Sequence, residues 1–214
     1  LIRRQRQMCI RDSMMTGSHH LYNYLPTKHE KWLTMIKQEI IDSGLIVDIL
    51  NAKTMEDVFR LLQGCSFLGS FLAYQYTIDM NYSPYINFSE NDFVKAGIGA
   101  IRGIKKCFLC YGNKCEDAIW YVKEHFNDLQ KRYGYTSFHP LLGHEPTLID
   151  LQNCFCETDK YLRAKMPELR IGNVRIKQKY MPHTDPIQFF FPPKWNIVEM
   201  YKYKPIVVPT LFDL

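Results

Sequence analysis

Two glycines separated by one apolar residue, Gly97-Ile98-Gly99, stand just ahead of Arg102, Lys105 and Lys106 in the stretch AGIGAIRGIKKCF, residues 96–108. Such spacing lets a chain turn sharply and begin a helix whose first N–H groups are bare, which makes an anion site. The cations that follow within two turns would hold the same phosphate. The glycines would serve equally well for close packing of two helices with no ligand. A dinucleotide-binding turn fails on context, because that pattern follows a strand and the residues before Gly97 read as helical. The chain contains no G-x-x-x-x-G-K-[ST] phosphate loop, so kinase activity by this chain alone is not expected.

A second group is Gln75 and Asp79, four residues apart in the apolar run SFLAYQYTIDM, residues 70–80, with Tyr74 beside them. An amide and a carboxylate in an apolar helix cost several kcal/mol unless paired, which fits either a site or a structural network. The third is LIDLQNCFCETDKY, residues 148–161, where Asp150, Asn153 and Glu157 recur at helical spacing with Lys160 close behind. Carboxylates on one face could act as an acid/base pair or hold a metal, and a solvated salt-bridge face explains the same pattern. Cys107, Cys110 and Cys115 with the C-x-C of Cys154 and Cys156 lack a fourth ligand at a standard spacing, and read as small buried hydrophobes; no metal or cofactor is expected. His139, His144 and His183 are isolated in loops.

These residues need helices to position them. Apolar spacing predicts a helix from Lys31 to about Leu50, with Gly44 as a stop or interruption, and a helix capped by Thr54 with Asp57 in a capping box through Leu61 or Leu62. Further helices are predicted over residues 66–80, from a start at Ser89-Glu90-Asn91-Asp92 into Phe93 and Val94, over 100–109, over 116–132, and from Thr147 to Met166. From Gly172 onward six prolines and many aromatics predict an extended tail that wraps the domain.

At 214 residues and 46% hydrophobic content the chain suits one core, assigned to residues 32–214, with 14–31 as a polar lead-in and a helix-hairpin-helix-like element at 92–109. Residues 1–13, LIRRQRQMCIRDS, look like translated sequencing-adapter read-through and are set aside as an artefact. Without their four arginines and one aspartate, the formal net charge of +5 falls to about +2, so the basic signal is weak. No apolar run is long enough to span a membrane, no secretory signal is evident, and seven cysteines without a disulfide spacing suit a reducing compartment; an intracellular location is expected, cytoplasmic or nuclear.

In order along the chain, GCSFLGSFLAYQYTIDMNY (64–82), SENDFVKAGIGAIRGIKKCF (89–108) and LIDLQNCFCETDKY (148–161) resemble the DNA glycosylase-like helical proteins of thymidine hypermodification. These include the helical domain of 5-hydroxymethyluracil DNA kinases and the related amino acid:DNA transferases, the alpha-glutamyl or putrescinyl thymine pyrophosphorylases. The resemblance implies an all-α, helix-hairpin-helix fold, a phage-like or fungal-like source, and double-stranded DNA containing a modified pyrimidine as partner. It also implies a base taken out of the stack onto aromatics, for which Tyr74, Tyr76 and Tyr82 are candidates. Gly97, Gly99, Lys105 and Lys106 match the hairpin that grips the phosphate backbone; Gln75, Asp79, Asp150, Asn153, Glu157 and Lys160 match the polar positions expected to line the pocket.

The chain departs from the kinases in lacking a phosphate-loop domain, which implies a separate P-loop kinase. It departs from base-excising glycosylases in offering only Glu116 and Asp117 near the place of their catalytic aspartate. The leading expectation is amine or amino acid transfer to an activated 5-hydroxymethyl group, with Asp79 or Glu157 deprotonating the nucleophile. The alternatives are a non-catalytic DNA-binding module and a glycosylase using Asp117.

Overall fold

The computed structural model describes residues 19–135, 144–170, 191–195 and 197, and among them the chain forms eight α-helices and no β-strand. They are α1 (Lys28–Met35), α2 (Leu45–Asn51), α3 (Met55–Gln63), α4 (Ser70–Met80), α5 (Ile98–Cys107), α6 (Glu116–Glu124), α7 (Phe126–Arg132) and α8 (Leu148–Lys165). The all-α class expected from the sequence is the class observed. The 1–13 segment, His139, His183 and most of the proline-rich tail lie outside the described residues.

Local chemistry sets the boundaries. α1 begins at a Thr27–Glu30 capping box and runs on as a π-helix over Ile36–Asp42. Gly44, at φ +80, then divides it from α2, as glycine alone does cheaply. The predicted Thr54–Asp57 box opens α3: Asp57 N donates to Thr54 Oγ1 at 3.1 Å and Thr54 N to Asp57 Oδ2 at 3.0 Å. Met55, Val58, Phe59 and Leu62, at i, i+3, i+4 and i+7, then bury one stripe of α3 against α4. The helix predicted over 116–132 is split at His125, whose backbone (φ −105, ψ 17) leaves the helical region.

α4 is the central helix, buried nearly all round at Leu72, Ala73, Tyr74, Gln75, Thr77 and Ile78. The predicted helix start at Ser89–Asp92 is not there. Ser89 instead makes a turn, its Oγ accepting from Asn91 N, and residues 93–97 form no regular structure before α5 begins, with Gly97 itself extended. The 92–109 element is therefore one irregular segment feeding one helix, not two helices joined by a hairpin. The polar side chains of Ser89 and Asn91, read as helix caps, serve the loop and a different helix: Asn91 Oδ1 accepts from Leu148 N at the start of α8.

α5 and α8 form the most extensive helix pair. Glycine makes their approach possible: a Cβ added at Gly103 would lie 2.0 Å from the Phe155 carbonyl oxygen, and one at Gly99 would lie 2.4 Å from Cys156 Sγ. Of the tail, Phe191–Trp195 packs against the domain, and Pro193–Trp195 forms a 3-10 turn where an extended run was expected. Trp195 Nε1 donates to Glu90 Oε2 at 2.6 Å, and Lys194 Nζ to the carbonyls of Asn81 and Phe88.

Candidate nucleic-acid site at the start of α5

Gly97 is the N-cap of α5, with no side-chain cap, and Ile101 N closes the first turn onto its carbonyl at 2.9 Å. The N–H groups of Ile98, Gly99 and Ala100 consequently have no partner within the helix. Ile98 is exposed at the tip. The Phe71 ring of α4 packs against Gly97, 3.2 Å from where a Cβ would stand, and Gln152 Nε2 of α8 comes within 3.8 Å of the same point. Three helices thus meet at the predicted glycine turn.

Beyond that turn the predicted cations separate. Lys105 is exposed and Arg102 partly so. Lys106 points into the protein, its side chain 3% exposed, and donates to Asp159 Oδ1 at 2.6 Å, while Arg163 lies 3.1 Å from the other oxygen of Asp159. Lys106 is therefore a structural ion-pair partner between α5 and α8, not a phosphate contact. Gly99 faces α8 and is likewise a packing residue.

The predicted pocket residues also divide. Gln75 and the unpredicted Gln152 are 3% and 2% exposed, and each has one amide atom without a hydrogen bond, Gln75 Nε2 and Gln152 Oε1. Asp150 is the reciprocal cap of α8, its Oδ2 accepting from Thr147 N at 2.9 Å. Glu157 accepts from Lys160 Nζ at 2.6 Å, so these two neutralise each other along the helix. Asn153 is partly buried, and Asp79 is exposed at the last turn of α4.

None of the three tyrosines named as base platforms is fully open, and Tyr76 is partly buried. Tyr74, 2% exposed, sits edge-on to Phe59 and Phe93 as a core residue, because α4 is central; Tyr82 is half-buried with its ring edge-on to Trp195. Gln152 escaped the sequence reading, although it shares the stripe of Leu148 and Phe155, where a polar side chain is out of place.

The model of the 5-hmdU DNA kinase helical domain matches residues 7–171, about three quarters of the chain. The chain belongs to this family. Its place is in thymidine hypermodification, and the match takes in all eight α-helices. No curated protein and no solved structure matches the chain. No helix among the described residues is long and apolar enough to cross a membrane.

Within this domain, the two acids near the site of a glycosylase aspartate are structural. Glu116 is buried and accepts from Lys95 Nζ at 2.9 Å and Ala96 N at 3.1 Å, tying down the irregular run into Gly97. Burial pushes its carboxyl upward, but these hydrogen bonds outweigh that and hold it below the usual carboxylate range. Asp117 Oδ2 accepts from the N–H groups of Asn113 and Lys114, closing the loop at Gly112.

Proposed function

We propose that this helical domain engages 5-hydroxymethyluracil-containing double-stranded DNA and presents the base to a P-loop kinase domain, in the same polypeptide or another. The observation that carries the reading is the division of labour along α5. Its inner face is locked to α8 by glycines and a buried ion pair. Its N-terminus is uncapped with Ile98 exposed at the tip, and Lys105 with the partly exposed Arg102 remains on the outer side. A rigidly held helix with an uncapped N-terminus and outward cations suits a phosphate backbone. The test is fluorescence anisotropy with duplexes that differ only in one 5-hydroxymethyluracil or thymine. Tighter binding of the modified duplex, weakening steeply with salt, is expected. Equal affinities, or no binding, would overturn the reading.

A second reading, amine transfer to an activated 5-hydroxymethyl group, is favoured by Asp79, an exposed carboxylate one turn after the buried Gln75. Nucleoside mass spectrometry of pyrophosphorylated 5-hydroxymethyluracil DNA incubated with the protein and a pool of amines would detect an adduct, and Asp79→Asn should abolish it. Asp150 and Glu157 are not assigned to that chemistry, because a helix cap and an ion pair already engage them.

A further inference from the structure

Among the described residues Gln75 and Gln152 are two neutral amide side chains buried to 97% or more, each with an atom that finds no hydrogen bond. Leaving such a group unmet costs about 1–3 kcal/mol. Leucine at either position would avoid that cost, so retaining both amides asks for a ligand or another partner. One of them stands at the glycine turn, and the other lies one helical turn from a residue that does. Gln152 Nε2 and the Phe71 ring both approach Gly97, and Gln75 follows Phe71 by four residues on the same face of α4.

The unmet atoms are of opposite kinds, a donor on Gln75 and an acceptor on Gln152. An anion would satisfy the donor and the bare N–H groups of α5 but would leave Gln152 Oε1 facing a second acceptor. A group that both donates and accepts satisfies both. The Watson–Crick edges of uracil and cytosine both do this, and they differ at the centre, where uracil has the N3–H donor and cytosine a bare nitrogen, so an acceptor such as Gln152 Oε1 set opposite the ring centre is met by uracil alone.

We propose that Gln75 and Gln152 read the imide edge of an extruded 5-hydroxymethyluracil, Gln152 Oε1 accepting from N3–H and Gln75 Nε2 donating to a ring carbonyl. Phe71 is only partly buried and lies directly against Gly97. It is the side chain that must swing aside to admit the base, and its ring then offers a stacking face. This rests on the DNA-engaging reading above and adds the residues that tell a uracil from a cytosine.

The test uses duplexes carrying one 5-hydroxymethyluracil or one 5-hydroxymethylcytosine opposite an abasic site, so that extruding either base breaks no pair. The wild type should prefer the uracil by about ten- to a hundredfold, the scale of a two-point base contact. Gln152→Leu and Gln75→Leu should melt no lower than wild type and should lose that preference, with affinity for unmodified DNA unchanged. Variants that fold and keep the preference would overturn the assignment. So would variants that melt well below wild type without changing it, which would mark the amides as part of a hydrated structural network. A wild type that prefers 5-hydroxymethyluracil over thymine but does not separate uracil from cytosine would overturn this inference alone. A wild type that separates none of these duplexes would overturn the DNA-engaging reading with it.

Discussion

The contact between α5 and α8 and the junction at Gly97 are built from the same two helices under opposite rules. Along the contact, Gly99 and Gly103 let backbones meet, and the charges of Lys106, Asp159 and Arg163 are paired. At the junction, one turn away, the helix start has no side-chain cap and two buried amides have an unmet atom each. A fully satisfied seam gains rigidity, and an unsatisfied end keeps hydrogen-bonding capacity in reserve for something that is not part of the chain. The seam thus reads as scaffold and the junction as site.

The comparison breaks most sharply at the ion pair. Lys106→Met leaves Asp159 with Arg163 alone in a buried place and should cost about 3–5 kcal/mol in urea unfolding. Replacing Lys106, Asp159 and Arg163 together by Met, Leu and Met should recover most of it, since a buried pair exchanged for apolar residues is often neutral. A loss under 1 kcal/mol for the single change would mean that the seam does not depend on the pair. Gly103→Ala comes next: the new methyl meets the Phe155 carbonyl, so α5 and α8 must part, at about 1–3 kcal/mol. An unchanged melting temperature would show that the helices are free to separate there.

How much of this was legible in the sequence follows from the range over which each signal acts. The Thr54–Asp57 cap and the Gly44 interruption are local, and the structure has them where the sequence placed them. Ser89–Asp92 carried an equally good local signal, yet Asn91 spends its side chain on the distant α8. Lys105 and Lys106 are neighbours of one kind in the sequence. Only the partner helix, 53 residues on, decides that one is surface and the other core. Gln75 stood out because an apolar run surrounded it, while Gln152 was masked by the polar residues around it in LIDLQNCFCETDKY.

Glu116 offers a smaller effect with a sign. Its carboxyl lies below the ordinary value in the folded chain, so its contribution to stability is complete above that value and is lost as pH falls through the folded one. Acid unfolding of Glu116→Gln, followed by circular dichroism, should therefore be less steep than that of wild type. At neutral pH the variant should be less stable, because Lys95 and Ala96 N–H lose a charged acceptor. Identical acid limbs would show that the segment leading into Gly97 is held by other contacts.

The smallest effect on stability should have the clearest effect on binding. Lys105→Glu alters an exposed side chain and should move the melting midpoint by the equivalent of less than about 0.5 kcal/mol. If the outer face of α5 meets phosphates, the same change should weaken binding uniformly across DNA sequences and lower the slope of log affinity against log salt by about one. Lys106→Gln is the matched control, one position along and of the same charge in the wild type. It should destabilise the seam while leaving the salt slope of the folded fraction unchanged, because its ammonium never reaches solvent. Should both variants alter the slope alike, the division of α5 into a locked inner face and a DNA-facing outer one would not stand.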